Sequence, residues 1–318
     1  MALINDNLRD DEVAVRGADP WLVSQLKSPS VVVEFSDIPD LFEYTVITFL
    51  CEPTAPFEAG GWLTAAVRGA WVSALRRLES VLEPPGSIER PNANAVFTGE
   101  HLYVGDAHVP RPYVISLSRQ GKRIAIHLTL FGWAAIWRDD AMTAMFNAFE
   151  TGISLRPTKP GQYRPSPRAR WALHDCYYQW HPRVCLRSMQ SECFLFWDTP
   201  LKLGGGATVV TDFGEFLYRL AKRIRLLSRW QGYEISFTPK EVWADAQFVR
   251  GKYLEENKVS RYERRTSRSY GRTLHMSGVT STMNLTNIPN KFWPILEMGQ
   301  VTLAGSQTSY GFGKYRLA

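Results

Sequence analysis

Runs of apolar residues with two different periods divide the first half of the chain. Ser30 to Phe35 (SVVVEF) and Tyr44 to Leu50 (YTVITFL) are β-branched and aromatic runs of strand length. From Trp62 to Leu82 the period changes: Leu63, Val67, Ala70, Trp71, Ala74, Leu75 and Leu78 recur at helical spacing, and Pro84-Pro85 ends the helix. Tyr113 to Leu117 and Arg123 to Phe131 read as strands, the latter alternating polar and apolar. Trp133 to Glu150 reads as a second helix, closed by Thr151-Gly152, with a last strand expected near Ile153 to Arg156. Strand, helix, strand, strand, helix, strand is the outline of a ferredoxin-like unit.

The outline then repeats. Cys193 to Trp197 (CFLFW) reads as a strand, and Phe213 to Trp230 as an amphipathic helix with Phe216, Leu217, Leu220, Ile224 and Leu227 along one side. After a basic, hairpin-like stretch come a short helix at Lys291 to Leu296, a strand at Val301 to Leu303 and a glycine-rich end. The fold class expected is α+β, two tandem ferredoxin-like (βαββαβ) domains: residues 1–157, then 193–318. Between them, residues 158–192 carry Pro160, Pro165, Pro167 and Pro182 and read as a linker with an irregular strand.

Composition narrows the class. With 45% hydrophobic and 21% charged residues the chain is that of a folded protein. Leu130 to Trp137, the longest apolar run, is far too short to cross a bilayer, and the Asp- and Asn-rich start has no secretory core, so a cytoplasmic location with no membrane partner is expected. Four cysteines (Cys51, Cys176, Cys185, Cys193) are too few for a disulfide scaffold of this size. Charge is distributed unevenly. Residues 1–159 hold 14 Lys and Arg against 19 Asp and Glu, a net of −5, and residues 160–318 hold 23 against 12, a net of +11. A half so basic repels itself unless an anion covers it, and nucleic acid is the usual anion.

The cations are grouped. Arg219, Lys222, Arg223, Arg225 and Arg229 lie on the helix of the second half; Lys222, Arg225 and Arg229 step by three and four and would share a face along a phosphate backbone. Arg261, Arg264, Arg265, Arg268 and Arg272 interleave with Tyr262 and Tyr270, a combination that grips phosphates and stacks on unpaired bases, in a segment expected to be mobile until RNA orders it. His174, Cys176, His181, Cys185 and Cys193 open an alternative, a metal-stabilised interaction module, although their spacing matches no common zinc finger. Gly204-Gly205-Gly206 lacks the Lys-Ser/Thr of a phosphate-binding loop.

The C-terminal string Gly305-Ser306-Gln307-Thr308-Ser309-Tyr310-Gly311-Phe312-Gly313-Lys314-Tyr315 resembles the terminal signature of the repeat-associated (RAMP) endoribonucleases that process CRISPR precursor RNA. Gly61 to Trp71, with Arg68-Gly69-Ala70 at its centre, is similar to that family's first helix. Arg111-Pro112-Tyr113-Val114 and Leu130-Phe131-Gly132 are similar to its Pro-Tyr strand and following turn, and Thr199 to Leu203 to the opening of its second domain. The resemblance implies a tandem ferredoxin-like protein that binds a CRISPR repeat hairpin and cuts precursor crRNA by metal-independent attack of a 2′-hydroxyl, leaving a cyclic phosphate and a 5′-hydroxyl. No cofactor and no metal are called for, and other effector-complex subunits are possible partners.

Within that reading Arg68 is the first candidate at the scissile phosphate, where a guanidinium stabilises charge. The histidine that many members carry in the first helix is absent, Ser73 standing nearest its place, and the one before the glycine loop is replaced by Leu303. His275 is then a candidate for acid–base work and Tyr310 for proton donation or stacking. Gly305, Gly311 and Gly313, with Lys314, would let backbone amides approach an anion. The missing histidines favour a second possibility, a non-catalytic RAMP subunit that binds or caps the guide RNA.

Overall fold

The computed structural model describes residues 19–27, 29, 31–55, 63–82, 91–99, 103–104, 107–154, 168–186, 192–202, 213–237, 239–254, 258–266 and 273–318. In the first half, β1 (Tyr44–Pro53), α1 (Leu63–Leu82), β2 (Tyr113–Gln120), β3 (Arg123–Phe131), α2 (Arg138–Thr151) and β4 (Trp171–His181) build one four-stranded antiparallel sheet, in the order β2-β3-β1-β4. Both helices cover one face. Trp71 of α1 donates from its indole to the Ala141 carbonyl of α2 at 2.9 Å, and Phe49 of β1 meets Phe146 and Phe149 edge-on. α1 forms because Leu63, Val67, Trp71, Ala74 and Leu75 give it a buried stripe, while Arg76 and Arg77 stay exposed. Asp139 and Asp140 sit in the first turn of α2, where acids suit the helix dipole.

The second half repeats the topology. β5 (Glu192–Trp197), α3 (Phe213–Leu227), β6 (Arg250–Tyr253), β7 (Lys258–Thr266), β8 (Thr273–Thr280), β9 (Thr282–Thr286), α4 (Trp293–Thr302) and β10 (Tyr315–Leu317) follow in order, and the sheet runs β6-β9-β5-β10. Counted along each half, both sheets place the strands second, third, first, fourth: the fold is two tandem ferredoxin-like units. β6 and β9 continue into the paired β7 and β8, a long antiparallel ribbon. The halves are locked by the 3-10 turn Ser228–Gln231, where Trp230 donates to the Pro110 carbonyl at 2.9 Å and packs 4.5 Å from Trp133.

Several elements differ from expectation. The fourth strand of the first sheet is Trp171–His181, inside the stretch read as linker, while Ile153–Ser154 pairs only with Arg168–Ala169. The cause is position: β4 is an edge strand exposed on both faces, so no alternation marks it. Val31–Val33 joins neither main sheet and pairs in parallel with Tyr233–Ile235. Val301 belongs to α4, which ends as Leu303 turns to φ 61°, and the last strand is Tyr315–Leu317. The basic stretch expected to be mobile contributes the paired strands β7 and β8. Among the described residues, no helix is long and apolar enough to cross a membrane.

Candidate nucleic-acid interface

Two arms of the sequence meet where the C-terminal glycine loop, residues 305–314, lies against α1 and β2. Gly311 (φ 81°) is needed there: a Cβ would stand 2.6 Å from Thr64 Cγ2 and 2.8 Å from the Ile115 carbonyl. Gly313 (φ 77°) turns against the Ala304 carbonyl, with no room for a side chain. The amides of both glycines donate within the fold, Gly311 to Thr308 O and Gly313 to Pro200 O, each at 2.9 Å. Close packing, rather than amides presented to an anion, is therefore what these two glycines provide.

Arg68 is held at this junction. It is only 8% exposed, donates from Nε to the Tyr113 hydroxyl at 2.9 Å, and lays its guanidinium 4.3 Å from the centroid of the Tyr310 ring. Among the described residues no carboxylate pairs with it. Lys314 follows the same loop; its amide donates to Thr199 Oγ1 at 2.8 Å. Burial, followed by the charge of Arg316, holds its ammonium pKa below the usual value against the pull of Asp198, which bonds Arg316 instead. Two cations, one from each half, thus meet one loop, and among the described residues neither forms a salt bridge.

The face of the first sheet away from the helices carries a histidine. Phe49 points to α2, so its neighbour Thr48 points the other way, and the register sets Ser116, His127, Thr48 and Tyr177 in one row across all four strands. His127 Nδ1 lies 3.1 Å from Thr48 Oγ1, and Nε2 lies 2.9 Å from Ser118 Oγ. Burial and then the charge of Lys314 lower its pKa, so the ring is neutral at neutral pH. Sequence reasoning passed over His127. Its signal was a polar residue in the alternating strand Arg123–Phe131, but the two hydroxyls that hold it appear only with the register.

The other candidates scatter. Ser73 is exposed on α1, five residues past Arg68 and so roughly 140° around the helix from it. His275 lies on β8, and Arg261, Arg264 and Arg265 on β7; their side chains fall outside the described residues, as do Arg268, Tyr270, Arg272 and Gly204 to Gly206 altogether. The cations of α3 do not form one solvent face. Arg219 pairs with Glu215 at 2.8 Å, Arg225 with Glu234 at 2.8 Å, and Arg229 lies beyond the helix, buried against Glu234 and the carbonyls of Leu26 and Lys27. Arg223 donates to the Thr302 and Leu303 carbonyls at the end of α4, and burial lowers its pKa to about 9. Lys222 remains exposed. Gly305 (φ 79°) packs on the Lys202 carbonyl. The Cys/His series is dispersed: His174 contacts Glu52, His181 stacks on Tyr44, and Cys193 is buried in the second unit. Among the described residues no three His, Cys, Asp or Glu side chains gather as a metal site.

Comparison with known proteins agrees with this arrangement. Residues 196–315 match the family model described as CRISPR-associated endoribonuclease Cas6. Among solved structures, Thermus thermophilus Cas6 superposes with a TM-score of 0.52 at 10% identity, over 87% of this chain and 99% of that one. The product complex of the same Cas6 gives 0.51 at 11% identity, over 86% and 99%, and the product complex of another Cas6 gives 0.51 at 12%, over 87% and 99%. No curated protein matches the chain. The second half thus matches the family model, and the tandem ferredoxin-like fold is shared with solved Cas6 structures over most of the chain.

Proposed function

We propose that this protein binds a CRISPR repeat hairpin and cuts precursor crRNA at the junction of the glycine loop with the first sheet, by metal-independent attack of a ribose 2′-hydroxyl on the adjacent phosphate. The observation that carries the reading is the pair Arg68 and Lys314, buried or part-buried cations from opposite halves that, among the described residues, form no salt bridge with a carboxylate. A buried charge left without a counterion is costly, and a phosphate entering between the halves would relieve it. The tyrosines fix the Arg68 guanidinium in place, so little reorganisation would be needed as charge builds on the phosphorane. A first unit that runs to the end of β4 at His181 and a second that begins with β5 at Glu192 are part of the same proposal, as are other CRISPR effector subunits as partners and the use of exposed Lys222 and the β7–β8 ribbon on the RNA stem.

The test is incubation with cognate repeat RNA in excess EDTA, beside a substrate carrying a single 2′-deoxy sugar at the cut. Cleavage should ignore EDTA and stop with the deoxy sugar. Arg68→Ala should then lower the single-turnover rate by about 10²-fold. One observation favours a second reading, a guide-binding subunit without activity: among the described side chains of α1 no histidine or carboxylate lies on its buried face, and Ser73 is exposed. Tight, salt-sensitive binding without cleavage would select that reading.

A further inference from the structure

We infer that His127, on the face of the first sheet away from the helices, is the proton acceptor for cleavage. The inference rests on the nuclease reading above and supplies the base that α1 lacks. Three observations carry it. First, His127 stands in the middle of the sheet on a row of polar or amphipathic side chains, Ser116, Thr48 and Tyr177, where a packed sheet face would be apolar. Tyr177, at the outer end of that row, is 53% exposed, so the row runs from the covered centre to an open edge. Secondly, the ring is held at both nitrogens, by Thr48 Oγ1 at 3.1 Å and Ser118 Oγ at 2.9 Å. With the proton on Nδ1, donated to Thr48, the Nε2 lone pair faces a hydroxyl. Ser118 is half-exposed near the end of edge strand β2, and it can turn aside so that a ribose hydroxyl takes its place at the same distance. Thirdly, the glycine loop that ends in Lys314 lies against β2, the strand that carries Ser118, and the charge of Lys314 is felt at the ring.

The step balances. Nε2 takes the 2′-hydroxyl proton, the 2′ oxygen bonds phosphorus, the P–O5′ bond breaks, and the leaving 5′ oxygen takes a proton from water. The product is the cyclic phosphate. Among the described residues Lys314 of the loop acts on the ring, and Asp175 and Tyr177 stand on the same sheet face of β4; Thr48, Ser116 and Ser118 contribute hydroxyls. Burial and Lys314 both disfavour the imidazolium, so the acceptor is in its working, neutral form down to below pH 6.5. The cleavage rate should rise with pH along a limb lying below that value and stay level above it.

The experiment is the single-turnover cleavage rate of wild type, His127→Gln and His127→Ala across pH 5 to 8, with RNA affinity measured in parallel. Glutamine can keep both hydroxyl contacts, so the fold and the affinity should stay near wild type. The rate should fall about 10²- to 10³-fold, the acid limb should vanish, and added imidazole should restore part of the rate to His127→Ala. Wild-type cleavage with an unchanged rate and pH profile in His127→Gln would overturn this inference and leave the nuclease reading standing. A wild-type protein that binds the repeat and cuts nothing would overturn both.

Discussion

Side chains of one type differ here by what surrounds them, and the cysteines show it most simply. Cys51 is buried in β1 with its thiol on the Ile124 carbonyl, and burial pushes its pKa up to about 12; burial and then Glu297 do the same for Cys193. Cys176 is half-buried and raised less, first by burial and then by Asp175, while Cys185 is exposed. Only a thiolate attacks a disulfide reagent, and at pH 8 the two core thiols stay protonated. Titration of native protein with an aromatic disulfide should therefore give one fast thiol, abolished by Cys185→Ser, a slower one from Cys176, and two more only after unfolding. Arg68 follows the same logic. The sequence suggested it as a phosphate ligand, but not that two tyrosines from β2 and the C-terminal loop would hold it. Those partners lie 45 and 242 positions away, beyond the reach of any local pattern.

At the scale of elements, what could be read from sequence was what repeats locally. α1 and α3 show their buried stripes as helical spacing, and β3 shows its two faces as alternation. β4 escaped because an edge strand open on both faces has no alternation to show, and β10 because three residues carry no period. The cations of α3 were legible as a basic cluster, whereas their division into structural and free groups depends on α4, Glu234 and the helix Pro20–Lys27. That division is testable. Lys222→Ala should leave the melting temperature within a degree or two and lower the slope of log affinity against log salt by about one. Arg229→Ala should do the reverse: it strands two carbonyls and weakens the grip on Glu234, costing about 3 kcal/mol in a denaturant titration with little change in that slope.

Over the whole molecule, the proposed site draws on both halves. Arg68 of α1 and His127, on the other face of the first sheet, come from the first half, Tyr310 and Lys314 come from the second, and the seam between the halves is set by Trp230. That indole is 1% exposed, packs on Trp133, and sits where Gly132 (φ 54°) has no space for a side chain against the Trp230 carbonyl. The acidic and basic halves make the same point in charge: the surplus in residues 160–318 would grip the RNA, and the first half would hold most of the reacting geometry. Trp230→Ala should therefore act on stability and chemistry through different terms. Loss of the buried indole and its hydrogen bond should cost about 3–5 kcal/mol in thermal or denaturant unfolding. Below its melting temperature the variant should keep most of its RNA affinity, since the exposed cations are untouched. Its cleavage rate should fall at least about tenfold, because Arg68 and Lys314 would no longer be fixed to one another, and misplacement of about an ångström costs that much or more. A variant that melts earlier yet cleaves at the wild-type rate per bound RNA would show that the seam stabilises the protein without aligning the site.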